Sequence, residues 1–140
     1  MTLELQATPE EVMRAVEALQ EFGRRMHVGE REIFGLALAL EECGSNIVNH
    51  AYRHDPRQQF RVAIEYTGGA VTIELRDRGP AFDPTRVRAV KPVARGGNLP
   101  HGGWGIQLAR RYVDEMAYRR EDGENILRLS KSLVRATGQK

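Results

Sequence analysis

The residues best suited to chemistry lie on one predicted helix, which runs from a nearly all-apolar stretch at 33–40 into a polar stretch at 41–50. At about 100° per residue, five polar side chains of the second stretch share one arc of roughly 140°. They are Glu42, Ser45, Asn46, Asn49 and His50. A carboxylate and an amide oxygen four residues apart suit a divalent cation and a hydroxyl that is to be deprotonated.

The opposite side of this helix is apolar, and we predict that it faces the core. Its members are Ile33, Leu36, Leu40, Cys43, Ile47 and Ala51. A polar stripe on an otherwise buried helix must face water, a ligand or a hydrogen-bonding partner, because burying unsatisfied polar groups is costly. An ordinary solvated face is one interpretation, but such faces usually carry several lysines and arginines. Here the stripe carries a carboxylate, two amides and an imidazole, which favours a binding or catalytic site.

Two glycine-containing segments add further candidate residues. Asp77 ends a predicted strand and is followed by Gly79 in a turn. A carboxylate there can accept a hydrogen bond from a base while the backbone comes close to the ligand. Gly102, Gly103 and Gly105 stand at the predicted start of a third helix, where free backbone N–H groups bind phosphate well. Each segment alone is equally well explained as a turn or a helix start.

The elements that must position these residues form a mixed α/β pattern. Alternating apolar residues predict five strands, and helical spacing predicts three helices. Between the second hairpin strand and the third helix, residues 77–103 are rich in proline and glycine, and a loop this long is more often functional than accidental. The predicted strands span about 2–6, 60–66, 71–75, 117–119 and 126–129, and the predicted helices about 9–23, 31–52 and 104–116.

Length and composition indicate one ordinary globular domain. The chain has 140 residues, of which 41% are hydrophobic and 29% charged, and its formal net charge is +2. So small a charge gives no indication of direct nucleic-acid binding. One cysteine, Cys43, excludes an internal disulfide, and no apolar run approaches the length of a membrane span. No signal segment opens the sequence, so we expect a cytoplasmic protein without a membrane partner.

Taken in their order along the chain, these motifs resemble those of the bacterial anti-sigma factor serine kinases, a branch of the histidine-kinase-like ATPase superfamily. The resemblance covers nearly the whole chain and is most specific at 40–46, 50–52, 77–84 and 99–105. It implies a two-layer α/β sandwich of the Bergerat type, with helices on one face of a mixed, mainly antiparallel sheet. The single domain would span 1–140, with an ATP lid at about 80–101.

The resemblance also implies an activity and partners. Members of the family use Mg-ATP to phosphorylate a serine of a small anti-anti-sigma antagonist protein. They are typically homodimers that also sequester a sigma factor. We therefore expect ATP and Mg²⁺ as cofactors, the antagonist as substrate, a sigma factor as a further partner, and a homodimer.

Carried over residue by residue, the resemblance assigns roles in the site. Glu42 matches the general base that takes the proton of the substrate serine, and Asn46 matches the protein ligand of Mg²⁺. Asp77 matches the aspartate that recognises the adenine amino group, in a pocket shaped by Gly79. The residues assigned to the phosphates and the rest of the nucleotide are Asn49, His50, Gly102, Gly103, Trp104 and Gly105. Basic residues of the lid are candidates for neutralising phosphate charge, namely Arg86, Arg88, Lys91 and Arg95.

Three alternatives remain at this stage. A nucleotide-dependent binding module, which exchanges partners without transferring phosphate, needs the same pocket; the presence of Glu42 favours the kinase. The ATPase half of a sensor histidine kinase is disfavoured, because the chain has no room for a phosphoacceptor helix pair. A transition-metal pair at His50 and His54 lacks further ligands at zinc spacing.

Overall fold

Five strands and three helices build the molecule in two layers. The computed structural model describes residues 1–86 and 103–133 of the chain. The strands are β1 (Thr2–Gln6), β2 (Gln59–Thr67), β3 (Ala70–Asp77), β4 (Glu115–Glu121) and β5 (Glu124–Ser132), and the helices are α1 (Pro9–Arg25), α2 (Glu30–Asn46) and α3 (Gly103–Arg111). A π-helical turn, Ile47–Ala51, continues α2, and a short 3₁₀ turn spans Pro84–Arg86.

The sheet has the strand order β1-β2-β3-β5-β4, and each neighbouring pair is antiparallel. Alternate residues of the strands are buried beneath the helices; Ile73 of β3, for example, lies opposite Leu129 of β5, and both are fully buried. The same register places Asp77 opposite Asn125 at the end of β3. The predicted two-layer fold is confirmed, and the described sheet is antiparallel throughout rather than mixed.

The helical layer follows from local signals in the sequence. Thr8 caps α1, its side-chain oxygen accepting a hydrogen bond from the Glu11 N–H at 3.2 Å. Gly44 allows α1 and α2 to pack closely, because a Cβ at this position would lie 3.1 Å from a methyl carbon of Val12. The side of α2 that was predicted to face the core does so, with Ala51 half-buried and the other five residues buried. Within the described ranges, no helix is long and apolar enough to cross a membrane.

The prediction of one regular helix over 31–52 is wrong in its last part. The α-helix ends at Asn46, and in the π turn that follows the Tyr52 N–H donates to the Ile47 carbonyl at 2.9 Å. Wider turns of this kind are frequently found at functional sites. Within this turn, Asn49 is exposed, whereas His50 is half-buried.

The predicted third helix is too long at its C-terminal end. It ends at Arg111, and residues 115 and 116 belong to β4 instead. Met116 pairs with Leu129 across the ladder, and the Asp114 N–H donates to the Ser130 carbonyl at 2.8 Å. Pairing with β5 therefore overrides the helical spacing of this segment.

Candidate functional site

A cavity of about 370 Å³ opens between the C-terminal part of α2, the ends of β3 and β5, and the beginning of α3. Three of the predicted site residues line it, namely Asn46, His50 and Asp77. They come from α2, its π turn and β3, so the fold brings together the helix motif and the strand-end motif.

Asp77 is the buried acid of this cavity, with 7% of its surface exposed. Its Oδ1 accepts two hydrogen bonds, from the Gly79 N–H at 2.8 Å and from the Asn125 amide nitrogen at 3.0 Å. No donor of a described residue reaches Oδ2. Burial raises the pKa of Asp77, and the two hydrogen bonds oppose part of that rise. The second oxygen is thus available to accept a hydrogen bond from a ligand.

Asn125 is a cavity-lining residue that the sequence analysis missed. It is 6% exposed, and its amide nitrogen also donates to the Pro80 carbonyl at 2.9 Å. Its amide oxygen accepts hydrogen bonds from the Tyr118 hydroxyl at 2.6 Å, the Arg120 guanidinium at 3.0 Å and the Phe82 N–H at 3.4 Å. Asn125 therefore links Asp77 to the first residues after β3.

A signal for Asn125 was present in the sequence. The residue directly precedes the predicted strand 126–129, and it stands two positions before Leu127 and four before Leu129, in the same alternation. A polar residue in that register must find hydrogen-bond partners, since buried amides are almost always satisfied. The sequence gives no indication of which partners these are.

Gly79 is required by the close approach of the chain to the end of the helix. A Cβ at this position would lie 2.8 Å from the Cβ of Ala51 and 3.1 Å from its carbonyl oxygen. The preceding residue is held by Tyr52, whose hydroxyl accepts a hydrogen bond from the Arg78 N–H at 2.7 Å and donates to the Gln59 carbonyl at 2.8 Å. These contacts fix the backbone beside Asp77.

Asn46 lines the cavity and contains an unsatisfied acceptor. Its Oδ1 is buried and has no hydrogen-bond partner among the described residues. A buried acceptor without a partner costs about 1–3 kcal/mol, so its presence calls for an explanation. An amide oxygen in this state is well suited to a hard cation such as Mg²⁺, which binds through few protein ligands together with phosphates and water. The described part of the chain holds no cluster of three His, Cys, Asp or Glu that could bind a metal.

Glu42 lies one turn before Asn46 and is half-buried. Burial raises the pKa of its carboxyl, and the negative charge of Glu41 raises it further. The carboxylate lies against Gly105 at the beginning of α3, where a Cβ would collide with Oε1 and lie 3.3 Å from Cδ. The structure thus joins the acid of the helix motif to the last glycine of the third motif.

The remaining predicted residues either do not line the cavity or lie outside the described residues. Asn49 is exposed and does not line the cavity, and its assignment to a ligand stays a prediction. Gly103 is the first residue of α3. Arg86 is exposed and forms an ion pair with Asp83 at 3.5 Å. The predictions for Gly102, the Trp104 side chain, Arg88, Lys91, Arg95 and the lid beyond residue 86 lie outside the described residues.

Comparisons with known proteins give matches over most of the chain. A family model described as the histidine kinase-like ATPase domain matches residues 5–131. Serine/threonine-protein kinase BtrW of Bordetella bronchiseptica is 32% identical over 130 residues, which cover 92% of this chain and 91% of the relative. Serine-protein kinase RsbW of Oceanobacillus iheyensis is 26% identical over 132 residues, which cover 89% of this chain and 82% of the relative.

The fold also resembles solved structures. The crystal structure of the SiaB–SiaC complex from Pseudomonas aeruginosa contains a chain that matches with a TM-score of 0.70 at 16% sequence identity. The match covers 93% of this chain and 88% of that one. At this level of identity the likeness concerns the fold alone.

Proposed function

Because the chain belongs to the histidine kinase-like ATPase family, we propose that it is a cytoplasmic anti-sigma factor serine kinase that uses Mg-ATP. Its substrate is a serine of a small anti-anti-sigma antagonist, and the transfer regulates a sigma factor by partner switching. The observation that carries the proposal is that two residues with an oxygen left without a hydrogen bond, Asn46 and Asp77, line the same cavity.

In this proposal, Asp77 holds the purine end of the nucleotide. Its Oδ2 accepts a hydrogen bond from the adenine amino group, since Oδ1 is already occupied by Gly79 and Asn125. The carboxyl must be ionised for this hydrogen bond, because a proton on Oδ2 would make that oxygen a donor. The two donors on Oδ1 favour the ionised form against the effect of burial.

The other end of the cavity is suited to the phosphates. Asn46 would be the protein ligand of the cation, and the backbone N–H groups at the beginning of α3 would hold the phosphates. Phosphoryl transfer needs mainly positioning and charge neutralisation, with little covalent work by the protein. When bound, Mg-ATP supplies the phosphoryl group and the charge of the cation.

Glu42 acts as the general base. It accepts the proton of the serine hydroxyl as the serine oxygen bonds to phosphorus and ADP leaves, so that the products are phosphoserine and ADP. Its partial burial suits this role, because a base whose pKa lies closer to neutral pH takes up a proton more readily.

We further propose that residues 1–140 form one domain whose ATP lid spans about 80–101, and that the protein is a homodimer. Similarity to proteins named serine-protein kinases supports the substrate class. The SiaB–SiaC complex is a chain of this fold in complex with a second protein, which supports a protein partner.

The test is phosphate transfer in vitro. The full chain is incubated with Mg²⁺, ATP labelled at the γ-phosphate and candidate antagonists encoded near its own gene, and the modified side chain is mapped by mass spectrometry. We expect label on one serine of one antagonist, and no label with Glu42→Ala, which should still bind ATP within a few-fold of the wild type. If antagonist and ATP both bind and no serine is modified, the chain is a partner-binding module rather than a kinase.

A further inference from the structure

Arg53 is the one arginine or lysine among the described residues that line the cavity. Its side chain is exposed, and no hydrogen bond or ion pair joins it to another described residue. Arg57, which lies close by in sequence but outside this lining, is bound by Asp55 at 3.0 Å. Arg53 thus brings an uncompensated positive charge to the rim of a cavity whose buried charge is the acid Asp77.

The backbone that carries Arg53 is unusual. Arg53 has a φ of +49°, and the next residue, His54, has a φ of +64°. Left-handed backbone is unfavourable for residues with a Cβ, and two in succession are rare. The turn is held by hydrogen bonds from the His54 N–H to the Val48 carbonyl at 2.8 Å and from the Asp55 N–H to the Tyr52 carbonyl at 3.0 Å. Strained backbone of this kind gathers at ligand-binding positions.

Arg53 stands at the end of the cavity where Asp77 lies. It comes two residues after Ala51, whose Cβ and carbonyl oxygen border Gly79. Glu42, which lies against Gly105 of α3 and is not a cavity-lining residue, stands nine residues before Ala51 and so roughly two helical turns away. The position of Arg53 therefore suits contact with the purine and not with the terminal phosphate.

We infer that Arg53 is a further nucleotide-binding residue whose guanidinium packs on the face of the purine that Asp77 recognises. The inference rests on the proposed function, since it requires that the cavity bind an adenine nucleotide. A guanidinium is planar, weakly hydrated and suited to stacking on aromatic rings, whereas an ammonium is not planar. The contact is independent of the phosphates.

The experiment measures the affinity of the full chain for adenosine, ADP and ATP by calorimetry, with wild-type protein and with Arg53→Asn and Arg53→Lys. Asparagine tolerates left-handed backbone, so Arg53→Asn removes the side chain and keeps the turn. We expect this variant to lose affinity for all three ligands by the same factor, about 3- to 30-fold, which is the range that a cation–π contact supports. Arg53→Lys should recover only part of the loss.

The matched control is His54→Asn, which changes the neighbouring left-handed residue and no cavity-lining side chain; its affinities should equal those of the wild type. A loss that grows from adenosine to ATP would overturn the inference, because it would mean that Arg53 contacts phosphate. Unchanged affinities in Arg53→Asn would also overturn it. If the wild type binds none of the three ligands, the proposed function itself fails, and the two failures are thereby distinguished.

Discussion

The amide nitrogen of Asn125 lies 3.0 Å from Oδ1 of Asp77, and the two residues stand directly opposite each other in β5 and β3. The carboxylate that is proposed to recognise adenine is therefore oriented from a strand 48 positions further along the chain. The same amide holds the Pro80 carbonyl and the Phe82 N–H. The purine end of the cavity and the segment that leads out of it share one anchoring side chain.

Replacing this anchor should affect both stability and nucleotide binding. Asn125→Ala leaves Oδ1 of Asp77 and the Pro80 carbonyl each without one donor, so we expect the free energy of unfolding to fall by about 2–3 kcal/mol. The affinity for ATP should fall by roughly tenfold, because the loss of one charge-assisted hydrogen bond leaves Asp77 poorly oriented. Urea unfolding and calorimetry measure the two effects.

Tyr118→Phe is the matched control for Asn125→Ala. It removes one hydrogen bond to the Asn125 oxygen and none to Asp77. We expect it to cost about 1 kcal/mol of stability and to leave the ATP affinity within about threefold. Equal losses of affinity in the two variants would contradict a specific role of Asn125 in orienting Asp77.

The rate of phosphate transfer should depend on pH through Glu42. A general base must be ionised, so kcat falls as the pH falls through the pKa of Glu42, which burial and the charge of Glu41 raise above its usual value. Glu41→Gln removes the repulsive charge and lowers this pKa, so the acid limb of the profile should move to lower pH. The measurement is kcat against pH at saturating ATP.

Glu17→Gln, an exposed change on α1, serves as the control for the pH profile. It removes the same formal charge at a position that is not among the groups that shift Glu42. Its acid limb should coincide with that of the wild type. Identical shifts in both variants would show an effect of overall charge and would exclude Glu41 as the cause.

Gly105→Ala should impair catalysis without unfolding the protein. The new Cβ would collide with Oε1 of Glu42, which is the end of a flexible side chain and can move away at little cost. A base displaced by about 1 Å can lose on the order of 100-fold in rate. We therefore expect kcat to fall by about 10- to 100-fold, with the thermal midpoint and the ATP affinity nearly unchanged.

Gly44→Ala is the matched control for the glycine substitution. Its Cβ would lie 3.1 Å from a methyl carbon of Val12, on the side of α2 that packs against α1. Any change should appear in stability and not in kcat. If Gly105→Ala lowers stability and leaves kcat unchanged, Gly105 serves packing alone.

The sequence was sufficient to predict the parts of the site that depend on local periodicity. Glu42 and Asn46 are one helical turn apart whichever helix carries them, and Asp77 ends a strand whose alternation is regular. Because the hairpin of β2 and β3 is local, its position could also be predicted. These regularities explain why the predicted layers and most of the elements agree with the structure.

The parts that could not be predicted depend on contacts between distant residues. The π turn at Ile47–Ala51 has no signature in the sequence, because it adds one residue to a helical turn without requiring a particular residue type. The end of α3 is decided by pairing of Met116 with Leu129, and the partners of Asn125 by the register of β3 with β5. Spacing along one segment contains no information on either.

The unsatisfied Oδ1 of Asn46 leads to a prediction in which stability and function change in opposite directions. Asn46→Ala removes a buried acceptor that has no partner among the described residues. It also introduces a better helix former, worth about 0.6 kcal/mol. Without nucleotide, the free energy of unfolding should therefore be equal to that of the wild type or higher.

In the same variant, the Mg²⁺ dependence of ATP binding should disappear. Calorimetry of ATP with Mg²⁺ and with a chelator measures this dependence, and urea unfolding without nucleotide measures the stability. Ser45→Ala, next to Asn46 on α2, should keep the wild-type dependence. If the Asn46 amide instead stabilises the fold and does not bind the cation, Asn46→Ala should lower the free energy of unfolding. The effect of Mg²⁺ on ATP binding should then be unchanged.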